Sequence, residues 1–578
     1  MSKPSFVLGI NAFHGDSSAA IFKDGVLLAA TEEERFRRIK HWAGIPSEAI
    51  QFCLREAGIS INELEAIAVS RDPSANMEKK IAHLVRYGFK ISNLYDRIRN
   101  RSKVKDFSLE LEQAIGLGAG QLSVPVHNIQ HHLAHLASAF DPSPFNEAAL
   151  ISIDGMGDFT STMTGVGNGN DIKVLNEVHY PHSLGIFYTA FTQYLGFPHY
   201  GDEYKVMGLA PYGEPAYLKE LDDIIVPDGK MGFSLNKKFF DHFKNGVEMN
   251  WEGGSPEIGS LYTKAFEERF GPVRKGDEPL TDHHRNLATS VQRKCENVIF
   301  QLLQELHEAT GLDQLCIAGG VAQNSVANGK ITRNTSFTKV FVPPAGHDAG
   351  TAAGSALYYM HQEKKQERKV DFNPYTGYRA TDEEIEKELT TSGQTFRKLS
   401  DQELNEVVCQ CIINGGVVGW YQGRAEFGPR ALGHRSILAD PRRNDVKEIL
   451  NLKIKRRESF RPFAPSILKE YVDEYFEHAD YVPFMEKVYP IRKEKQELIP
   501  AVTHVDGTGR LQSVDAAISP KYHSLITHFH SLTGIPVLVN TSFNENEPIV
   551  NLPKEALDCY LRTKMDMLVL GNYVLSRN

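Results

Sequence analysis

The chain begins the same way twice. Residues 5–32 run as an apolar strand (SFVLGI), a polar turn (NAFHGDSS), a second strand, an Asp24–Gly25 turn and a third strand. Residues 147–178 repeat the pattern: an apolar strand, the Gly-rich turn DGMGD, a strand, a Gly-containing turn and a strand. An Asp-Gly pair between two apolar runs is a strong hairpin signal. Two such meanders in one chain predict two similar α/β halves facing a cleft. At 578 residues the chain exceeds one ordinary core, so two or three domains are expected. The charged, Pro- and Gly-bearing stretch 361–377 reads as the boundary, giving domains 1–365 and 366–578.

Between the meanders lies QHHLAHLASAF, residues 130–140. Its alanines and leucines favour a helix, on which His131 and His135 share one face a turn apart. Two imidazoles at that spacing can hold a metal or grip an anion; the alternative is a pair of hydrogen-bonded core histidines. His132 is left as a supporting or core residue. Asp154 closes the first strand of the second meander, where a side chain projects into an open crevice, and Asp348 is read as ending a strand in the same way. Gly155 and Gly157 leave room for a ligand oxygen. Gly319–Gly320 stands between a strand and an expected helix, where free N–H groups favour phosphate. It is neither GxGxxG nor a P-loop. Lys205, in HYGDEYKVMGLAPYG, lies in a candidate substrate or phosphate loop. In the first turn, His14 and Asp16 are candidates for contact with an acyl group; for His14 the choice is between a general base and a hydrogen-bonding turn residue. The run 32–46 reads as a solvated charged face, 75–120 as helical, 230–260 as loop, and 287–311 as an amphipathic helix stopped by Gly311.

Net charge is −9, which argues against a broad nucleic-acid or anionic-membrane surface. No run of 18 apolar residues provides a membrane span, and the first residues read as a strand rather than a signal segment. The six cysteines form no CxxC pair, as expected of reduced thiols in a cytoplasmic protein. Against the overall charge, residues 424–461 hold eleven Lys/Arg and five Asp/Glu. Phe427, Pro429, Phe460, Pro462 and Phe463 interleave them, which suits a walled phosphate pocket better than a free basic face.

Six ordered stretches carry a family resemblance: GINAFHGDSSAA, HHLAHLASAF, SIDGMGD, GDEYKVMGLAPYG, GGVAQNSVANGK and PPAGHDAGTAAG. Together with GRAEFGPRALGHRSIL they resemble the O-carbamoyltransferases that decorate antibiotics and nodulation factors. The resemblance implies an N-terminal duplicated domain of the actin/hexokinase/chaperone ATPase superfamily, similar to the catalytic subunit of the tRNA threonylcarbamoyl-transfer machinery. It also implies a C-terminal α/β domain similar to threonylcarbamoyl-adenylate synthases, whose KxR and SxN signatures match Lys455–Arg457 and Ser542–Asn544. An iron-type metal on His131, His135, Asp154 and Asp348 is implied; two imidazoles and two carboxylates also suit Mn or Zn. Adenylate contacts fall on Gly155, Lys205, Gly319, Gly320 and Asn324. Carbamoyl phosphate and ATP, with Mg, fall to Arg424, Arg430, Arg435, Lys455, Arg457, Arg461, Asn540, Ser542 and Asn544. The implied reaction makes carbamoyl-adenylate from carbamoyl phosphate and ATP, releasing pyrophosphate. The carbamoyl group then passes to a hydroxyl of a small-molecule acceptor. His14 and Asp16 are the catalytic candidates, and a homodimer is allowed. The alternatives are a small-molecule kinase of the same superfamily and a non-enzymatic nucleotide switch.

Overall fold

The computed structural model describes residues 4–87, 107–370, 373–458 and 460–577; of the helical stretch expected at 75–120, residues 88–106 lie outside the described ones. The chain divides into two compact units. One comprises Met1–Asn324 with Ile331–Phe372; the other comprises Asn373–Asn578 and takes in Ser325–Lys330.

The first unit is built on two five-stranded sheets. The first meander forms β1 (Phe6–Asn11), β2 (Ser18–Lys23) and β3 (Val26–Glu32), and β4 (Ala66–Val69) and β5 (Val126–Asn128) extend it in parallel, in the order β3-β2-β1-β4-β5. The second forms β6 (Glu147–Gly157), β7 (Thr160–Asn168) and β8 (Asp171–His179). Two short hairpins follow, β9 (Ile225–Pro227) with β10 (Phe233–Leu235) and β11 (Met249–Asn250) with β12 (Glu257–Ile258). They give structure to a stretch expected to be loop. Then β13 (Gln314–Ala318) and β14 (Lys339–Phe341) extend the second sheet in parallel, in the order β14-β13-β6-β7-β8. Both sheets therefore have one topology: an antiparallel meander extended beyond its first strand by two successive parallel strands. The duplicated meander expected from the sequence is realised.

Small residues set the packing between these layers. Helix Gly350–Tyr358 lies between β1 and helix His131–Phe140. A Cβ on Gly9 would fall 1.8 Å from the Ala352 carbonyl oxygen, and one on Gly354 would fall 1.9 Å from that of Ala134. The sequence AGTAAGSA is thus the condition for two helices and a sheet to approach this closely. Helix Asp282–Thr310 ends at Gly311, whose φ of 67° gives the left-handed stop.

Three local expectations are corrected. No continuous helix follows Gly319–Gly320: residues Gly320–Gln323 make a 3-10 turn and Ser325–Asn328 a single helical turn, so no long helix dipole faces a phosphate there. Asp348 does not end a strand; β14 stops at Phe341 and Asp348 sits in the turn before Gly350–Tyr358. The charged run after β3 is not a solvated face, because Glu32, Glu33 and Arg35 are buried. The Glu33 carboxylate accepts the N–H groups of Glu48 and Ala49 at the start of helix Ser47–Ala57, an assignment the local sequence does not announce.

The second unit carries a nine-stranded mixed sheet. Its strands are β15 (Arg397–Lys398), β16 (Val418–Tyr421), β17 (Arg435–Ala439), β18 (Ala464–Leu468), β19 (Lys487–Pro490), β20 (Thr508–Val514), β21 (Val537–Ser542), β22 (Met567–Leu570) and β23 (Tyr573–Ser576). They lie in the order β15-β23-β22-β16-β17-β21-β18-β20-β19. Trp420 is fully buried in its core and donates its indole N–H to the Gly433 carbonyl at 2.9 Å.

Candidate metal centre and phosphate chamber

In the first unit the histidine helix delivers His131 and His135 to one point, as 3.6-residue periodicity requires. Their Nε2 atoms are 3.1 Å apart. Asp154, near the end of β6, brings Oδ2 to 3.5 Å from His131 Nε2. Asp348 brings Oδ1 to 3.5 Å from His131 and 3.4 Å from His135. One ligand atom from each of the four lies within 4.8 Å of every other, and all four residues are buried. Burial alone would push the His131 imidazole down, but the two carboxylates hold it well above its usual value. Burial would likewise raise Asp348, but the two imidazoles hold it well below the ordinary carboxylate range. Four lone-pair donors crowd one small volume, and each is satisfied chiefly by sharing a positive charge. That donor set fits a divalent cation.

His132 points away. Its Nδ1 accepts from the Ser152 hydroxyl at 2.7 Å and its Nε2 donates to the Thr160 carbonyl at 3.0 Å, so it is a core histidine. The His14 ring stacks on His131 at 4.8 Å, and its Nε2 is buried without a hydrogen-bond partner. Burial and the neighbouring His131 push it down to about 3, so it stands neutral at physiological pH. Asp16 has a left-handed backbone (φ 58°), and its Oδ1 is 2.8 Å from Nδ1 of His41. His347 Nε2 lies 4.0 Å from the other oxygen. Although burial opposes it, Asp16 raises the His41 imidazole to about 9, making a charged pair. His41 was hidden in the charged run EEERFRRIKH, where nothing local marks it as a partner for the first turn.

The five expected adenylate residues divide. The Gly320 N–H donates to Asp154 Oδ1 at 2.8 Å, so it fixes one carboxylate of the four-residue cluster. A Cβ on Gly319 would fall 2.2 Å from the Ile153 carbonyl oxygen, and its φ is 97°. Gly155 faces open space where a Cβ would sit. The Asn324 amide is paired both ways with Gln292 at 3.0 Å. Lys205 is ion-paired with Asp202 at 2.9 Å.

In the second unit, Lys455 is buried and donates to the Asn544 side chain at 2.6 Å, the Asn544 carbonyl at 2.9 Å and the Ser542 hydroxyl at 3.2 Å. The KxR and SxN tripeptides are thus brought together. The arginines divide by job. Arg435 is fully buried, donates to the carbonyls of Gln422 (2.6 Å) and Tyr378 (2.9 Å), and lies 3.6 Å over the Tyr421 ring. It supports the fold. Arg424 donates to the Thr376 carbonyl at 2.7 Å. Asn540 is committed to Ala431, Ser466 and Gln512 in the sheet interior. Arg457 donates to Asn451 at 2.9 Å, and Arg461 pairs with Glu458 at 3.3 Å. Arg510, on β20, was missed: its Nε is buried without a hydrogen-bond partner. Burial, then the nearby charges of Arg430, Arg457 and Arg461, hold it well below the usual guanidinium value. Four mutually repelling guanidiniums suit an anion. Arg510 lies in TGRLQSV, whose alternation reports a strand and nothing more.

Comparison with known proteins decides the family. The carbamoyltransferase N-terminus family model matches residues 6–357 and the carbamoyltransferase C-terminus model matches residues 409–577. The chain belongs to the carbamoyltransferase family. This carbamoyltransferase is 41% identical to the uncharacterized protein sll1178 of Synechocystis sp., over 99% of this chain and 96% of that one. It is 38% identical to nodulation protein NolNO of Sinorhizobium fredii, over 98% of this chain and 80% of that one. It is 36% identical to the 3'-hydroxymethylcephem-O-carbamoyltransferase of Amycolatopsis lactamdurans, over 46% of this chain and 49% of that one. Among solved structures it is similar to T. kodakarensis HypF at 14% identity and a TM-score of 0.31, over 63% of this chain and 48% of that one. No described helix is long and apolar enough to cross a membrane.

Proposed function

We propose that this carbamoyltransferase uses ATP and carbamoyl phosphate to carbamoylate a hydroxyl of a small, natural-product- or sugar-like acceptor. One observation carries the reading: the same chain holds a buried two-imidazole, two-carboxylate cluster in one unit and a buried lysine on Ser542 and Asn544 in the other. In the second unit, water cleaves carbamoyl phosphate to carbamate and phosphate. A carbamate oxygen then attacks the α-phosphorus of Mg-ATP, and the bond to pyrophosphate breaks. Lys455 and the Arg430, Arg457, Arg461 and Arg510 group neutralise the transferring phosphate.

In the first unit, carbamoyl-adenylate gives its carbonyl carbon to the acceptor oxygen. The C–O bond to AMP breaks and AMP leaves with the electron pair. His131, His135, Asp154 and Asp348 would hold an iron-type divalent cation, which when bound would supply Lewis-acid polarisation and a template for oxygen ligands. The protein's own part is to exclude water and to take the hydroxyl proton. The neutral Nε2 of His14 and the outer oxygen of Asp16 are the acceptors at hand. Incubation with ATP and carbamoyl phosphate, without acceptor, tests the reading: AMP, pyrophosphate and phosphate are expected. ADP as the nucleotide product would mean direct phosphoryl transfer and overturn it.

A further inference from the structure

The β6–β7 hairpin closes on two residues, Asp158 (φ 49°) and Phe159 (φ 73°), between the paired residues Gly157 and Thr160. A two-residue turn with both φ values positive ordinarily carries Asn-Gly or Asp-Gly. Here a phenylalanine takes the glycine position, a conformation its side chain disfavours. Strain of this kind persists where the surroundings give it a purpose. The Phe159 ring packs edge-on near His83 and against Tyr180, which fixes the turn. That leaves the Asp158 carboxylate to be explained.

Its Oδ2 accepts the backbone N–H of His131 at 2.8 Å and that of Asp72 at 2.8 Å. Gln130, at the N-cap of the histidine helix, makes no side-chain cap hydrogen bond, so Asp158 supplies from another strand the anchor the local sequence lacks. The same hairpin touches His131 twice more. A Cβ on Gly157 would fall 2.1 Å from the His131 ring, so the ring lies directly on that glycine. Asp154, four residues before Asp158, meets its Nε2. One hairpin therefore fixes the backbone, the ring face and the ligand nitrogen of His131.

We propose that Asp158 is a positioning residue for the metal centre: by holding the first N–H of the histidine helix it sets His131 and His135 against Asp154, and so sets the affinity for the cation. The inference rests on the metal reading above. Its test uses the full chain and Zn2+ alone, with affinity measured by competition against a chromophoric chelator and thermal stability recorded on the same samples. Asp158→Gly relaxes the turn while removing the carboxylate. Zn2+ affinity per folded molecule is expected to fall roughly tenfold to hundredfold, the range for partners that orient metal ligands. Asp158→Asn keeps an acceptor oxygen and suits the turn, and is expected to recover part of that loss. Phe159→Gly relaxes the turn but spares the carboxylate, and is expected to bind like the wild type. If Asp158→Gly binds as tightly as the wild type, the inference is overturned; if that variant does not fold, unchanged affinity in Asp158→Ala, which also lacks the acceptor oxygen, overturns it. Wild-type protein that binds no Zn2+ would instead sink the metal reading itself.

Discussion

The two buried polar clusters are opposites. In the first unit, two imidazoles and two carboxylates converge, and one atom of each lies within 4.8 Å of the others. In the second, cations dominate, and several are already committed to backbone carbonyls: Arg435 to Gln422 and Tyr378, Arg424 to Thr376. The first cluster uses short side chains on regular elements, so its geometry follows from the backbone. The second uses long side chains with several torsions each, so a guanidinium three residues from a pocket can equally brace a loop. Sequence spacing therefore places polar groups well where the side chain is short and poorly where it is long.

Several substitutions would break or sharpen that contrast. The largest effect is expected from His131→Ala, which should lower carbamoyl transfer at least about 1,000-fold while leaving pyrophosphate release from ATP and carbamoyl phosphate near wild type, since only the first cluster is touched. Equal loss of both activities would erase the division of labour. Arg435→Ala should act on stability instead, by about 3 kcal/mol in urea unfolding, because it leaves buried carbonyls unpaired. A protein of normal stability that has lost pyrophosphate release would return Arg435 to the phosphate chamber.

His41→Asn probes the charged pair beside the metal cluster. The folded-state value of His41 is raised to about 9. Its contribution is thus complete below the unfolded value near 6.5 and is lost as pH rises through about 9. The variant should therefore melt earlier than wild type at pH 6 by the equivalent of about 2 kcal/mol and converge with it above pH 9. A constant difference across that range would show packing, not charge, at work. Arg510→Ala is expected to be mildest, lowering pyrophosphate release about tenfold, since removing one of four like charges also relieves repulsion among the rest. An unaltered rate would place the anion elsewhere.

The duplicated meander was legible because it rests on local signals. Strand periodicity and the Asp24–Gly25 turn, with φ values of 49° and 80°, need only neighbours in sequence. The family was legible for a similar reason: six ordered stretches survive translation into letters. His131 and His135 could be paired from helical spacing. The neighbours of Asp16, Glu33 and Arg510 could not, because His41 lies 25 residues away, Glu48 and Ala49 15 and 16, and Arg430 80, and no periodicity links them.

By itself, then, the sequence determined the repeated strand order, the helix that sets His131 and His135 on one face, the stop at Gly311 and the family. Tertiary structure decided which buried charge meets which. It placed Asp348 in a turn and not on a strand tip, and set the Gly320 N–H on the Asp154 carboxylate. It spent Arg435 on carbonyls and tied Asp158 to the first N–H of the histidine helix. Backbone conformation is a nearest-neighbour property of the chain, whereas desolvated charges must find partners wherever folding brings them, and that choice is made only when the core closes.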